Sequence, residues 1–310
     1  MARMQRREPN VSAAWPTLGV AVAAVLWGIW WMPLRALEAA GLSGDWSSVF
    51  VYTVAAVALL PVAFARRRQF RAGGWPVAAA GILYGVALVT WNHALITGEV
   101  VRVSLLFYLM PVWATLLGAA FLSERLTAYR VAAVACGLAG AAVVLGIEGG
   151  FPTPRNVGEW MALVSGVVFA LSVTYARSAG GGGWFEGTYL ALPSAAVLAV
   201  VFVYLAPQGS SLSGGAIWSI FPALLLAVLL WHVPSIGLTL WGAGHLGPAR
   251  VSILMLLEIV AAAGSAALLA GEPFGWREAV GCLLILGSGA LEGLAHLRAR
   301  PAAGIAESRH

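Results

Sequence analysis

The sequence predicts an all-α membrane protein of ten transmembrane helices arranged as two inverted five-helix repeats. Three observations carry that expectation: composition, the spacing of apolar blocks, and a self-match between the two halves. Of 310 residues, 60% are hydrophobic and only 10% are charged, whereas an ordinary soluble domain carries roughly 25% charged residues. The apolar residues come in blocks of about twenty, the length a helix needs to cross hydrocarbon. Clusters of turn-forming and charged residues separate them.

The first block follows Arg3, Arg6 and Arg7 and spans 17–37. It is bulky with Trp27, Trp30 and Trp31 and lacks a small-residue cleavage site, so it reads as a retained helix rather than a signal peptide. Spans over 46–65, 75–96, 101–122 and 129–147 complete a first half, residues 1–150. Spans over 157–177, 186–206, 217–240, 249–270 and 278–297 form the second, residues 151–310. The breakers lie between: Gly41 to Asp45, RRRQFR at 66–71, SERLTAYR at 123–130, EGGFPTPRN at 148–156, APQGSSLSGG at 206–215 and GEPFGWRE at 271–278. Cys136 and Cys282 each fall inside an apolar block, which argues for packing rather than a disulfide.

Orientation rests on arginine, because the chain has no lysine. With both termini on one side, ten crossings put Arg3, Arg6, Arg7, Arg66, Arg67, Arg68, Arg71, Arg125, Arg130, Arg177, Arg250, Arg298, Arg300 and Arg309 on that side. Only Arg35, Arg102, Arg155 and Arg277 fall opposite, a bias of 14 to 4. The positive-inside rule then expects both termini in the cytoplasm of an inner or plasma membrane. Topology also accounts for the net charge of +5 without nucleic acid as a partner.

A shift of 148 residues lays Arg102-Val103-Ser104 on Arg250-Val251-Ser252 and Glu124 on Glu272, with nine identities in the 24 positions from 102 to 125. A shift of 142 pairs Arg35 with Arg177. Each half then holds five helices, an odd number, so the second half enters the membrane from the opposite side. Inverted repeats are a device of secondary transporters, in which two near-equivalent halves exchange conformations around a central site.

The segment at 92–145, with Pro111 in its fourth helix, Glu124 at the turn and a glycine-rich fifth helix, resembles the repeat unit of the drug/metabolite transporter superfamily, in particular its EamA branch. The segment at 238–291, with GEP at 271–273, is similar to the same unit, so the resemblance spans both halves. It implies ten helices, inverted halves and export of small metabolites. Ile259 stands where many members carry a proline. The string FYLMPVW at 107–113 resembles a pattern of the bacterial aromatic amino-acid exporter branch, which implies a bacterial inner membrane and an aromatic or large neutral amino acid as substrate.

Glu258 is the most informative single residue. It lies about nine residues into its span, where an ionisable group costs about 2.5–3.5 kcal/mol and usually faces a cavity or a partner. It is a candidate for binding a substrate ammonium or carrying a coupling proton; a glutamate that locks two helices together is the structural alternative. His232, mid-span, and His93, near a span end, are candidates for proton relay or carboxylate contact, against a packing role. Trp27, Tyr84, Trp91, Tyr108, Tyr175 and Trp231 are candidates for lining a cavity and stacking on an amphipathic substrate, against plain space filling. Pro111, Pro193 and Pro234 are candidate kinks at gating helices. Trp15, Trp46, Trp75, Trp160, Trp184, Trp218 and Trp276 sit near span ends and read as an interfacial belt. Glu124 and Glu272 read as caps or gate ion pairs. Gly137, Gly140, Gly146, Gly281, Gly287 and Gly289 read as close helix packing.

No HExxH, paired intramembrane aspartates or phosphate loop is present, so an enzyme is the weaker alternative, and no cofactor or metal is expected. A scaffold would leave the inverted repeat without a mechanical purpose. The reading is a monomeric exporter of amino acids working by alternating access. A small molecule and the bilayer are its partners, and a proton is the candidate coupling ion. Export of another cationic or amphipathic metabolite is the runner-up.

Overall fold

A computed structural model describes residues 12–39, 41–42, 44–146, 153–205 and 214–299, with side chains described to residue 294 except over 214–220. Among the described residues the chain is helical, without a β-sheet. Hydrocarbon leaves no partner for an exposed backbone amide or carbonyl, so a spanning segment must satisfy them within itself. The intramembrane hydroxyls follow the same rule: Thr90, Thr115, Thr174, Ser235 and Thr239 each donate to the carbonyl of the residue four before them.

In chain order the elements are α1 (Ala14–Gly28), α2 (Trp31–Ala39), α3 (Asp45–Ala65), α4 (Arg67–Thr97), α5 (Val100–Phe107), α6 (Met110–Leu122) and α7 (Ala128–Leu145). The second half runs α8 (Val157–Ser178), α9 (Trp184–Leu205), α10 (Gly214–Ala227), a π-helical turn (Val228–His232), α11 (Val233–His245), α12 (Pro248–Met255), α13 (Leu257–Leu269) and α14 (Trp276–Ala299). Grouped as continuous paths, nine stretches among the described residues are long and apolar enough to cross a membrane. The tenth path, α14, is 24 residues long and carries Arg277, Glu278 and Glu292. This is a multi-pass, all-α membrane protein, and the ten spans read from the sequence fall on these ten paths. The boundary between the two halves, the arginines at 3, 6, 7, 300 and 309 and most of the 206–215 connection lie outside the described residues.

Two seams bind the bundle. Along α7 and α14, a Cβ added to Gly140 would lie 2.7 Å from the Gly281 carbonyl, and one added to Gly281 equally close to the Gly140 carbonyl, so only glycine admits this approach. Gly137 packs against Leu256 and Ser288 in the same way. Gly146 instead ends α7 in the left-handed region at φ 70°, while Gly289 faces open space, so neither is a packing glycine. Along α4 and α8, Ser165 donates to the Ala87 carbonyl and Ser172 to the Ala80 carbonyl, each at 2.7 Å. Gly81 and Gly85 of α4 meet the Gly187 and Ala191 carbonyls of α9.

Four of the paths are broken in mid-membrane. Between α1 and α2, the Trp30 amide bonds to the Trp27 carbonyl rather than to Leu26. The freed Leu26 carbonyl accepts the indole Nε1–H of Trp231 at 2.6 Å. Between α5 and α6 the chain turns at Tyr108 and Leu109, and Pro111, which has no amide hydrogen, sits in the first turn of α6. The π-helical turn stands directly before Pro234, which occupies the first turn of α11. Between α12 and α13 the turn falls at Leu256 without a proline. Pro193, by contrast, lies inside α9, which runs as one helix from Trp184 to Leu205.

The element bounds echo one another. Helix α5 begins at 100 and ends at 107, α12 at 248 and 255, and α7 begins at 128 where α14 begins at 276, each pair 148 residues apart. Ser123 and Gly271, again 148 apart, close α6 and follow α13 with positive φ of 55° and 68°. The next residues, Glu124 and Glu272, return their amides to Gly118 and Ala266.

Candidate functional site

The broken helices surround a cavity. One lobe, about 310 Å³, is walled by Trp27, Trp30, Trp31, Tyr84, Trp91 and Phe107, and Glu258 lines it from the first turn of α13. Glu258 is the one acidic or basic residue among those that line this lobe. Its side chain is partly exposed to the cavity, and the Tyr108 hydroxyl, from the α5–α6 turn, lies beside its carboxyl. Close approach of α1 and α13 sets the carboxylate's position: Gly28 sits against the Glu258 carbonyl, where any Cβ would clash.

A second lobe of about 340 Å³ shares Trp30, Leu34, Asn92 and Leu95 with the first and is lined further by Ser47, Ser48, Tyr52 and His232. Three of its remaining lining residues, Glu38, Gly44 and Ile96, lie at or next to helix ends on the face that carries Arg35 and Arg102, so the cavity runs from Glu258 toward that side. The opposite, arginine-rich side is closed. There Val77, Ala80, Ala176, Leu240 and the glycine turn at 181–183 leave a space of only about 10 Å³. Ion pairs reinforce that closure: Arg66 with Glu186 at 2.8 Å, and Arg130 with Glu124 at 2.9 Å and Glu292 at 3.4 Å. Arg250 reaches Thr17 at 2.8 Å.

His232 is 1% exposed, and both ring nitrogens lack a hydrogen-bond partner. Three rings cage it, with centroids at 4.6 Å (Trp30), 4.9 Å (Trp27) and 5.2 Å (Tyr52). Trp27 Nε1 is likewise buried, with the Tyr84 hydroxyl beside it. Asn92 donates from Nδ2 to both Ser48 Oγ (3.2 Å) and Tyr52 Oη (3.1 Å).

Five of the residues singled out in the sequence therefore line the two lobes, namely Trp27, Tyr84, Trp91, His232 and Glu258, and Tyr108 stands beside Glu258. Three do not. His93 is bound to Asp45 at 2.9 Å and stacks on Phe202, which ties α4 to α3 and α9. Tyr175 packs edge-on against Trp75, and Trp231 caps the end of α1. The pair between Arg35 and Glu272 spans 3.4 Å at an exposed position. Tyr52, Ser48, Asn92 and Phe107 were not singled out as site residues, since a tyrosine, serine or phenylalanine in an apolar span carries no signal until its helix face is known.

Residues 14–146 match the EamA-like transporter family. No curated protein matches the chain. A solved crystal structure is similar over 90% of this chain and 98% of its own, with a TM-score of 0.70 at 22% identity, a likeness of fold.

Proposed function

We propose that this protein is a secondary transporter that exports small amphipathic metabolites, foremost amino acids with aromatic or large neutral side chains, by alternating access between two inverted five-helix halves. The observation that carries the reading is the cavity: closed on one face, open toward the other, walled by aromatic rings and holding a single carboxylate at mid-membrane depth. The match of residues 14–146 to a transporter family supports it independently. The 148-residue register of helix ends, breaks and left-handed caps supports the inverted repeat, because two halves built to one plan reach two mirror-related states at similar cost. The arginine bias supports both termini in the cytoplasm, which makes the cavity outward-facing, and the resemblance of the 107–113 string supports a bacterial inner membrane. Glu258 serves as the ammonium or proton site, and the protein acts as a monomer.

A second reading, an exporter of organic cations, is favoured by the same lobe, since a lone carboxylate among tryptophan faces suits a cation without a carboxylate. Counterflow of labelled tryptophan, with threonine alongside, into liposomes holding the purified protein tests the proposal. Tryptophan exchange blocked by excess phenylalanine is expected. Exchange of threonine alone moves the substrate to another amino-acid class, and exchange of neither withdraws amino acids.

A further inference from the structure

The amino-acid reading, on which this inference rests, leaves one half of the substrate without a partner: Glu258 suits an ammonium, but the lobe around it offers a carboxylate no charged donor. The second lobe offers neutral ones. Tyr52, 1% exposed, accepts at its oxygen from Asn92, and Ser48, 3% exposed, does the same. One amide fork thus fixes both oxygens, each accepting one N–H. Their O–H hydrogens have no acceptor among the described residues and are left for whatever enters the lobe. His232 lines the same lobe, and its two nitrogens are buried and unpartnered; a neutral imidazole has one N–H to give.

A native interior rarely leaves a buried polar side chain wholly unpaired, and each such group calls for an explanation. The local backbone points the same way. His232 ends the π-helical turn, a feature concentrated at functional sites, and that turn sets the ring between Trp27, Trp30 and Tyr52. The acidic residue of this lobe, Glu38, is exposed on α2 and leaves the buried donors free of a competing charge.

We propose that Tyr52, Ser48 and His232, braced by Asn92, form a carboxylate-binding subsite. An α-amino acid bridges the two lobes, with its carboxylate at these donors and its ammonium toward Glu258. The site discriminates amino acids from the corresponding amines by hydrogen bonds from neutral groups, which spares the membrane interior a buried cation. A site built to hydrogen-bond a substrate group rejects analogues lacking it, because its own groups are then left unpaired.

Competition in tryptophan counterflow tests this, with tryptamine as the carboxylate-free probe. In the wild type, tryptamine is expected to compete at least about tenfold more weakly than unlabelled tryptophan, the cost of one lost charge-assisted hydrogen bond. Tyr52→Phe and Ser48→Ala, both small changes at packed positions, are each expected to weaken tryptophan about tenfold while moving tryptamine less than about twofold. Equal competition by tryptamine in the wild type, or parallel loss of both probes in both variants, overturns the subsite and leaves transport of tryptophan standing. Absence of tryptophan counterflow in the wild type overturns the amino-acid reading itself, and the subsite with it.

Discussion

At the scale of single residues, two carboxylates inside the bundle show how one chemistry serves two purposes. Glu258 was visible in the sequence as a charge inside a span, whereas Asp45 read as the end of the 41–45 connection and instead begins α3. Asp45 is 3% exposed and paired with His93, whereas Glu258 is partly open to a cavity and has only the Tyr108 hydroxyl beside it. A carboxylate that is already paired stabilises the bundle; one that faces water and lacks a counter-ion is free to exchange a proton or a ligand. Glu258→Gln is therefore expected to weaken tryptophan counterflow, because the ammonium loses its counter-charge, and to flatten the pH dependence of the exchange that remains. Asp45→Asn is expected to lower stability by about 1.5–3 kcal/mol, the range for a hydrogen bond to a charged group, with the pH profile unchanged. Thermal unfolding in detergent and initial counterflow rates separate the two, and a pH profile unchanged in Glu258→Gln removes Glu258 from coupling. Sequence distance alone did not distinguish His93 from His232. Their roles part because α3 brings Asp45 to the first, while the π-helical turn brings only aromatic rings to the second.

Among the elements, the spans were legible because apolar length is a physical requirement of the bilayer, and the ten paths follow it closely. Their breaks were legible only where proline marks them. Pro111 and Pro234 remove an amide hydrogen and the helix is broken or widened at or just before them. Pro193 does not interrupt α9, and the break at Leu256 has no local signal, although its counterpart 148 residues earlier, Tyr108, stands at the α5–α6 turn. The Ile29–Trp30 break was equally silent, since it depends on an indole from a distant helix to satisfy the freed carbonyl. Small residues told more, but only in pairs. Gly140 and Gly281 face each other's carbonyls, so Gly140→Leu is expected to force α7 from α14 and to cost about 1–3 kcal/mol, as overpacking does elsewhere. The same change at Gly289, where nothing lies within 4 Å, is expected to be nearly neutral. Thermal unfolding of both variants checks the contrast, and equal losses at the two sites would remove the seam as the cause.

For the whole molecule, the open side and the closed side differ in what holds them. The arginine-rich face is held by Arg66–Glu186, by Arg130 between Glu124 and Glu292, and by Arg250 on Thr17. On the other face Arg102 grips Glu159 at 2.8 Å and 3.1 Å. The two arginine contacts occupy matching registers: Arg102 and Arg250 are 148 apart, Thr17 and Glu159 are 142 apart. The sequence exposed the 148-residue self-match but not this asymmetry, because which face is closed depends on contacts between distant helices that no single segment encodes. The proposed alternating access requires the closed face to yield, and on that face Arg130 of α7 is paired with Glu292 of α14 as well as with Glu124. Glu292, 2% exposed with one carboxylate oxygen unpartnered, is the least satisfied member of this cluster. Glu292→Gln is isosteric and weakens the closed face alone, so the population is expected to move toward the opposite opening by a factor of about 3–10, the shift that about 1 kcal/mol of differential stabilisation produces. A single cysteine at Ser48, placed in a background with Cys136 and Cys282 replaced by alanine, reports the open cavity, and one at Ala176, buried beside the glycine turn, reports the closed face. In Glu292→Gln, labelling by a membrane-impermeant thiol reagent is expected to slow at position 48 and to quicken at 176. Faster labelling at both positions would mean that the bundle had loosened rather than switched, and the gate would have to be sought elsewhere.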